Sequence, residues 1–542
     1  MRFVCFGFFY PLMKGDSTMY DVAIIGCGVI GASLSYTLSK YQLKVLILEQ
    51  ENDVAMGTTK ANSAIVHAGY DPEPGTLMAK LNVQGSEMME DLCRTLSVKY
   101  KRIGSFVLAF DEESCKHLEK LYENGVKNGV RDQKILTGDE ARAMDPNLTK
   151  EVKAALYAPT AAVIDPWGLC IAEAEVAVKN GADLKLSSRV ESMEVCKCGD
   201  QGEHLLLHTT SGDYEARYVV NCAGGWGHEV AEMADKAGCA DSASDYAGPE
   251  WTPYPNRGEY YLLDKSMGSL VSHVIFQCPT AAGKGVLVSP TVHGNLIVGP
   301  NAEAVAGPYS RENTLSGLDA VASASRKSVN GIDLRQSIRN FAGVRANTSE
   351  SDFIIRPARD CKLVLNIAGI KSPGLSAAPA IGEYAAEYLK TMGLTLTEKE
   401  AGTWNGTRTK VHFKDLSDAE KAELIKKNPR YGRVICRCET ITEGEIIDAI
   451  HSPITPCSID GIKRRAGSGM GRCQGGFCGP RVLDLLSKEL GIDPLDVLQD
   501  GAGTKLLIGR TKSYAADAQC AAEACADGAA QAETQNAELN NK

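Results

Sequence analysis

Tyr20-Asp21-Val22-Ala23-Ile24-Ile25-Gly26-Cys27-Gly28-Val29-Ile30-Gly31 opens a stretch that continues to Val45-Leu46-Ile47-Leu48-Glu49 and decides the fold. The apolar run Val22 to Ile25 predicts a buried parallel strand, Ala32 to Lys40 predicts a helix, and Val45 to Leu48 predicts a second strand. Glu49 follows 18 residues after the third glycine. Gly26 permits the tight turn, Gly28 lets the backbone approach a pyrophosphate, and Gly31 lets helix and strand pack closely. The free N–H groups and positive dipole of the helix N-terminus suit phosphates. Glu49 can accept hydrogen bonds from a ribose diol. Together these predict a dinucleotide site, without distinguishing FAD from NAD.

The bulk numbers bound the rest. A chain of 542 residues holds three or four domains at roughly 150 residues each. With 44% hydrophobic and 23% charged residues it has the composition of a soluble globular protein. A net charge of −10 makes nucleic acid an unexpected partner. No run approaches the ~20 apolar residues of a membrane span. Phe3 to Leu12 is apolar but short and interrupted, with no small-residue cleavage site after it, so residues 1–18 are read as an extension and folding as starting at Met19. The expected location is cytoplasmic, or peripheral to a membrane through a partner. The 18 cysteines agree with this if most are reduced, buried or metal-bound.

After Glu49 comes Gly57-Thr58-Thr59-Lys60-Ala61-Asn62-Ser63-Ala64-Ile65-Val66-His67-Ala68-Gly69, small and hydroxylated, which lets backbone N–H groups face a ligand. Helices are predicted over Met78–Leu96, Leu118–Asn128, Gly138–Met144 and Pro166–Lys179, and strands over Gly104–Phe110, Ala154–Tyr157 and Ala182–Val190. Val190 to Val220 alternates like an antiparallel meander and ends in Asn221-Cys222-Ala223-Gly224-Gly225-Trp226. Four strand candidates, Arg257–Leu263, Ser272–Gln277, Gly285–Pro290 and Gly294–Pro300, predict a second, antiparallel domain. Ser316–Val329 and Asp333–Asn340 look helical, and Phe341–Ala346 and Phe353–Ile355 are expected to extend that sheet. Leu363–Ile367, the loop Ala368-Gly369-Ile370-Lys371-Ser372-Pro373-Gly374-Leu375 and a helix over Ala378–Thr391 return to the first sheet, with the helix N-terminus toward a cofactor.

These motifs, with Arg257-Gly258-Glu259-Tyr260-Tyr261, Gly299-Pro300-Asn301-Ala302 and Ala342-Gly343-Val344-Arg345 in the same order, resemble the FAD-dependent oxidoreductases of the D-amino-acid-oxidase type. Within them the branch holding L-2-hydroxyglutarate dehydrogenase and flavin-linked glycerol-3-phosphate dehydrogenase is the most similar. The resemblance covers about residues 19–395. It implies an α/β protein with a glutathione-reductase-like FAD-binding Rossmann domain (about 19–105, 150–230 and 340–395). An antiparallel α+β substrate domain (mainly 105–150 and 250–340) would cap the flavin. Gly26, Gly28, Gly31, Glu49, Thr58, Asn62, Ser63, Ala223, Gly224, Gly369, Gly374 and Leu375 are then the expected FAD residues. No second complete GxGxxG unit is found, so no obvious NAD site accompanies the first, and no redox dicysteine follows the glycine-rich unit immediately. The class implies that a secondary alcohol loses hydride to the flavin while a base takes the hydroxyl proton. His67 is the expected base, or a histidine that only packs beside the cofactor. Arg257, Arg345 and Lys371 are the expected holders of the substrate anion, with structural ion pairs the alternative for the arginines. His273 and His293 are expected to be structural.

Residues 396–430 are polar and read as a linker with a short helix, Asp418–Lys427. Within 431–513, Cys436 and Cys438 precede Cys473 and Cys478 in the spacing C-x-C-x34-C-x4-C. Four thiolates from two loops suit zinc or an iron–sulfur centre, and spacing alone does not choose. The pattern resembles the small helical [2Fe-2S] domain of bacterioferritin-associated ferredoxin, a similar domain being appended to the catalytic subunit of anaerobic glycerol-3-phosphate dehydrogenase. The favoured occupant is therefore [2Fe-2S]. Arg433, Arg437, Lys463, Arg464, Arg465 and Arg472 would offset its charge and could dock an acidic partner, and Cys457 is expected to be buried. Residues 514–542 lack large apolar side chains and are expected to be a disordered tail.

The expected activity is an FAD dehydrogenase of a small anionic hydroxy compound that exports electrons through [2Fe-2S] to an acceptor protein or quinone-linked subunit. Glycerol 3-phosphate comes first, on the attached cluster domain. L-2-hydroxyglutarate is close behind, on the runs around His67 and Arg257. A non-catalytic flavin and iron–sulfur electron-transfer subunit is the alternative from another class.

Overall fold

The computed structural model describes residues 19–197, 202–238, 250–279 and 285–511. The N-terminal extension and the tail expected over 514–542 lie outside the described residues. Strand β1 (Tyr20–Ile25), helix α1 (Val29–Leu38) and strand β2 (Val45–Leu48) form the predicted unit. β1 lies between β2 and the strand Gly212–Asn221, parallel to both. Val22, Ile24, Val45 and Ile47 belong to the core on one face of this sheet, and Ala23, Ile25, Leu46 and Leu48 to the core on the other. Burial on both faces explains why these strands read as continuous apolar runs rather than alternating ones.

The helices of the first core cross closely where glycines allow it. A Cβ on Gly382 would stand 2.7 Å from the Ser33 carbonyl oxygen of α1, and one on Gly85 would stand 2.2 Å from that of Ser376. The second face is covered by the helix Gly227–Gly238 and by the meander Val190–Cys196, His204–Thr209 and Gly212–Asn221. The stretch expected as one strand over Ala182–Val190 is divided. Asp183–Lys185 pairs with β2, and Val190–Cys196 opens the meander.

The second sheet has nine strands. Its pairs are mostly antiparallel, as expected, but Val274–Gln277 runs parallel to Ser105–Ala109. The sheet is therefore mixed. Asp333–Asn340 is not a helix. After a 3₁₀ turn at Leu334–Gln336 the chain runs as strand Ser337–Arg345, paired along its length with Asn256–Leu263. Cross-strand pairing has overridden the local pattern. Ile354–Pro357 does not extend this sheet either. It pairs with Val364–Ala368, which lies beside Gly212–Asn221 in the first sheet.

The segment read as a linker is fastened down. Trp404 Nε1 donates to Ser39 Oγ at 3.0 Å, Tyr36 Oη donates to the Gly406 carbonyl at 3.1 Å, and Arg408 Nε donates to Glu175 Oε2 at 2.6 Å. Helix Asp418–Lys427 is as predicted. The C-terminal domain packs the helices Glu443–Ile450, Ile459–Ala466 and Gly479–Leu490 around Ile446, Ile450, Ile462, Val482 and Leu486. Among the described residues no helix is long and apolar enough to cross a membrane.

Candidate active site

A cavity of about 880 Å³ lies where the turn after β1, the loop 57–67, the strand end at Cys222–Trp226 and the loop 367–375 come together under the second sheet. That is the upper end of the range for ligand sites. Gly26 makes its turn with φ +97°, and a Cβ there would stand 2.7 Å from the Cys222 carbonyl oxygen. A Cβ on Gly31 would stand 2.0 Å from the Gly26 carbonyl oxygen. Gly31 does not line the cavity. Its task is to bring α1 onto the turn, so its expected place among residues facing the cofactor is corrected to a packing one.

Glu49 is buried at the cavity wall. Its Oε2 accepts from the Cys27 N–H at 2.7 Å and its Oε1 from the Glu51 N–H at 3.0 Å. Burial pushes its carboxyl up to about 7, against the lowering effect of those two donors. Thr58, Asn62, Ser63, Ala223, Gly224, Gly374 and Leu375 line the cavity, and Gly369 does not. Gly369 instead supplies a left-handed turn, φ +64°, beside Thr348. The loop is held by its own polar groups. Thr58 Oγ1 donates to the Val344 carbonyl at 2.7 Å, and Asn62 Oδ1 accepts from the N–H of Ala64 at 2.8 Å. Ala64 sits in left-handed backbone, φ +58°, an unusual conformation for alanine that this bond secures.

His67, Arg345 and Lys371 all face the cavity. The His67 ring stacks on Phe276, with centroids 5.5 Å apart, and its Nε2 lies 3.2 Å from Ser372 Oγ. Lys371 Nζ donates to the Glu350 carbonyl at 2.9 Å. Arg345 donates from Nη1 to Asn256 Oδ1 at 2.6 Å and from Nη2 to the Asn301 carbonyl at 3.3 Å. No carboxylate among the described residues pairs with it.

Arg257 is a correction. It is 2% exposed and does not face the cavity. Its guanidinium is enclosed by Glu303 at 2.7 Å, Glu259 at 3.6 Å and Glu312. The cause is strand parity. Successive side chains of Asn256–Leu263 point to opposite faces, and directly paired residues on neighbouring strands share one. Asn256 pairs with Arg345 and Tyr260 with Phe341, whereas Arg257 pairs with Val344. Asn256, Tyr260 and Arg345 therefore share the cavity face, and Arg257 is turned to the other. Tyr260 and Asn256 were missed in the sequence, although Tyr260 lies two residues past Gly258 in the quoted run. Tyr260 Oη is 3.1 Å from Ser63 Oγ, and its ring stacks on Phe341 at 4.7 Å.

The four cysteines of the C-terminal domain fall into two pairs. Cys438 Sγ is 3.6 Å from Cys473 Sγ. Cys436 accepts a hydrogen bond from the Cys478 thiol and from the N–H groups of Gly469 and Glu439, which draw its own thiol below the usual range. The Phe477 N–H does the same for Cys473. Two sulfurs sharing one tetrahedral metal at ~2.3 Å bonds stand about 3.8 Å apart. Two such pairs match two irons with two thiolates each, and N–H donors to sulfur match a thiolate-held cluster. The match of this domain to a [2Fe-2S] binding family, given below, does not support the zinc alternative. Cys457, expected to be buried, is partly buried beside Asn52.

Comparison with known proteins agrees with this division. Residues 21–388 match the model of the FAD dependent oxidoreductases, and residues 434–488 match that of the BFD-like [2Fe-2S] binding domains. A glycerol 3-phosphate dehydrogenase of Caloramator mitchellensis is 48% identical over 496 residues, 91% of this chain and 99% of its own. The human mitochondrial L-2-hydroxyglutarate dehydrogenase is 27% identical over 54% of this chain and 64% of its own. The FAD-bound, dithionite-reduced L-α-glycerophosphate oxidase of Mycoplasma pneumoniae superposes with a TM-score of 0.65 at 28% identity, covering 72% of this chain and 98% of its own.

Proposed function

The chain belongs to the FAD dependent oxidoreductase family and carries a [2Fe-2S] binding domain, and from that premise we propose that it oxidises glycerol 3-phosphate and passes the electrons to a partner acceptor. The observation that carries the proposal is the 48% identity to a glycerol 3-phosphate dehydrogenase over 91% of this chain, a span too long to fit within the flavin domain alone.

Bound FAD supplies a two-electron hydride acceptor and a bound [2Fe-2S] centre supplies a one-electron carrier. The residues of this chain supply the rest. Glu49 would accept the ribose hydroxyls of FAD, and the N-terminus of α1 behind Gly26 and Gly28 would receive its pyrophosphate. Arg345 holds the phosphate of the substrate through its forked N–H groups, oriented by Asn256, and Lys371 adds a second positive charge. His67 takes the proton of the secondary hydroxyl, with Ser372 and Phe276 holding its ring. Cys436, Cys438, Cys473 and Cys478 would hold the cluster through their thiolates.

Anaerobic addition of glycerol 3-phosphate to the loaded protein should bleach the flavin absorbance and then produce the signal of a reduced cluster. Bleaching by L-2-hydroxyglutarate and not by glycerol 3-phosphate would replace the substrate. No bleaching by either would end the dehydrogenase proposal.

A further inference from the structure

The basic residues around the cysteines separate into two sets with opposite fates. Arg464 and Arg465 are buried, 6% and 2% exposed, and both bond Asp53 in the loop after β2. Lys463 is buried with them, and Arg433 is paired with Glu443 at 3.1 Å. The three buried residues are not available to a partner, whereas Arg433 stays exposed with its charge matched by Glu443. Arg437, Arg472 and Arg481 remain exposed. Arg437 separates Cys436 from Cys438, Arg472 precedes Cys473, and Arg481 follows Cys478 by three residues. Among the described residues none of the three makes an ion pair with a carboxylate; Arg472 donates to the Gln336 side-chain oxygen at 3.0 Å, and its charge also acts on nearby Asp264. The acid closest in sequence to Cys438 is turned inward, since buried Glu439 bonds Lys265 at 2.6 Å and Lys414 at 3.5 Å. Asp484, one helical turn past Arg481, is the remaining exposed acid on that stretch.

Two further features belong to the same cysteine segments. Cys438 is exposed while Cys436 and Cys478 are buried, so one of the two cysteine pairs meets solvent. Phe477, the residue before Cys478, is 84% exposed. An exposed aromatic next to one cluster cysteine, with exposed arginines next to the others, has the make-up of an interface anchor with its charged border. The chain as a whole carries −10, so a second copy of it is repelled by like charge, whereas an acidic carrier is drawn to this face in particular.

We infer that Phe477, Arg437, Arg472 and Arg481 form the docking face for an acidic one-electron carrier protein, which takes electrons at the Cys438–Cys473 side of the cluster. The inference rests on the proposed electron export. Oxidation of one alcohol to a carbonyl releases two electrons and two protons, so two oxidised carriers are each reduced by one electron and both protons go to solvent.

The test uses the full chain loaded with FAD and cluster and reduced beforehand with dithionite, which makes it independent of the substrate assigned above. The probes are a soluble cytochrome b5 domain, which is acidic, and cytochrome c, which is basic. Cytochrome b5 should be reduced at least tenfold faster at low salt than at 0.5 M salt, and the Arg437→Glu/Arg481→Glu variant should lose at least tenfold of the low-salt rate. Phe477→Ala should lose several-fold at every salt. Each variant should keep its cluster absorbance and its rate with a small uncharged dye. Equal rates with both cytochromes, or a b5 rate unmoved by the charge reversals, would overturn the inference. So would variants that change only the sedimentation of the protein, since the face would then join two copies. Failure of substrate to bleach the flavin, with the dithionite experiment intact, would count against the dehydrogenase proposal and not against the docking face.

Discussion

Replacing Asp53 with Asn should release the C-terminal domain from the flavin domain. Asp53 is 1% exposed and accepts from Arg464 at 3.0 Å and from Arg465 at 2.8 Å through each oxygen. Burial by itself would raise its carboxyl, but the two guanidiniums overcome this and hold it at about 2, against an ordinary 3.8. That difference corresponds to about 2 kcal/mol of stability. The pKa is depressed, so the contribution is present above pH 3.8 and is lost as pH falls through about 2. The Asn variant is harsher than protonation, because two buried cations lose their counter-charge. Removing one partner of a buried pair costs about 3–5 kcal/mol. Asp500, which bonds Arg464 at 2.7 Å and Lys60 at 2.7 Å, and buried Glu175, 3.9 Å from Arg465, offset only part of this. The loss falls on the junction between the domains, so limited proteolysis should cut within residues 396–433 of the variant and not of the parent. Flavin reduction by substrate should keep its rate, while cluster reduction slows by at least tenfold. A triple change, Asp53→Leu with Arg464→Met and Arg465→Leu, should restore docking, since apolar groups of similar volume replace buried ion pairs well. Parental protease resistance and thermal transition in Asp53→Asn would refute the reasoning.

Arg345→Ala should raise the KM for the anionic substrate by about 30- to 100-fold, the loss of one or two charge-assisted hydrogen bonds, while Arg257→Met should lower thermal stability with KM unchanged. Steady-state kinetics beside thermal denaturation separates the two arginines, and an unchanged KM in Arg345→Ala would remove its substrate role. Glu49 gives a pH signature of opposite sign to Asp53. Its carboxyl is raised to about 7, so ionising it costs the cofactor-free fold about 3 kcal/mol as pH climbs from 4.5 through 7. Ribose hydroxyls donate to the ionised form, so FAD affinity, read by fluorescence quenching, should rise by up to tenfold per pH unit toward 7 and level off above it. Glu49→Gln should flatten that curve. Cys438→Ser should abolish the cluster absorbance and cytochrome reduction yet leave substrate bleaching of the flavin intact. Loss of both activities together would deny the cluster a separate downstream role.

Much of the first domain was legible because its information is local. Gly26, Gly28 and Gly31 answer to backbone approaches set within a few residues, and Val22–Ile25 and Val45–Leu48 are apolar on both faces because both faces are buried. Asp418–Lys427 and Pro166–Lys179 were legible for the same reason, each with its own cap. Ser337–Asn340 was misread because nothing local distinguishes it from a helix. It is extended because Asn256–Leu263 lies beside it.

The sequence alone determined the dinucleotide turn, the loops that line the cofactor cavity and the four-cysteine domain, since each is a short motif whose chemistry requires those residue types at that spacing. Only the tertiary structure decided what the charged side chains do. Arg257 and Arg345 look alike as arginines in apolar strands, and strand parity with cross-strand register sends one into a cage of carboxylates and the other to the cavity. Arg464, Arg465, Arg437 and Arg472 look alike around the cysteines, and domain docking buries the first two against Asp53 while leaving the others in water. A charge is defined by what faces it, and residues far apart in the chain supply that.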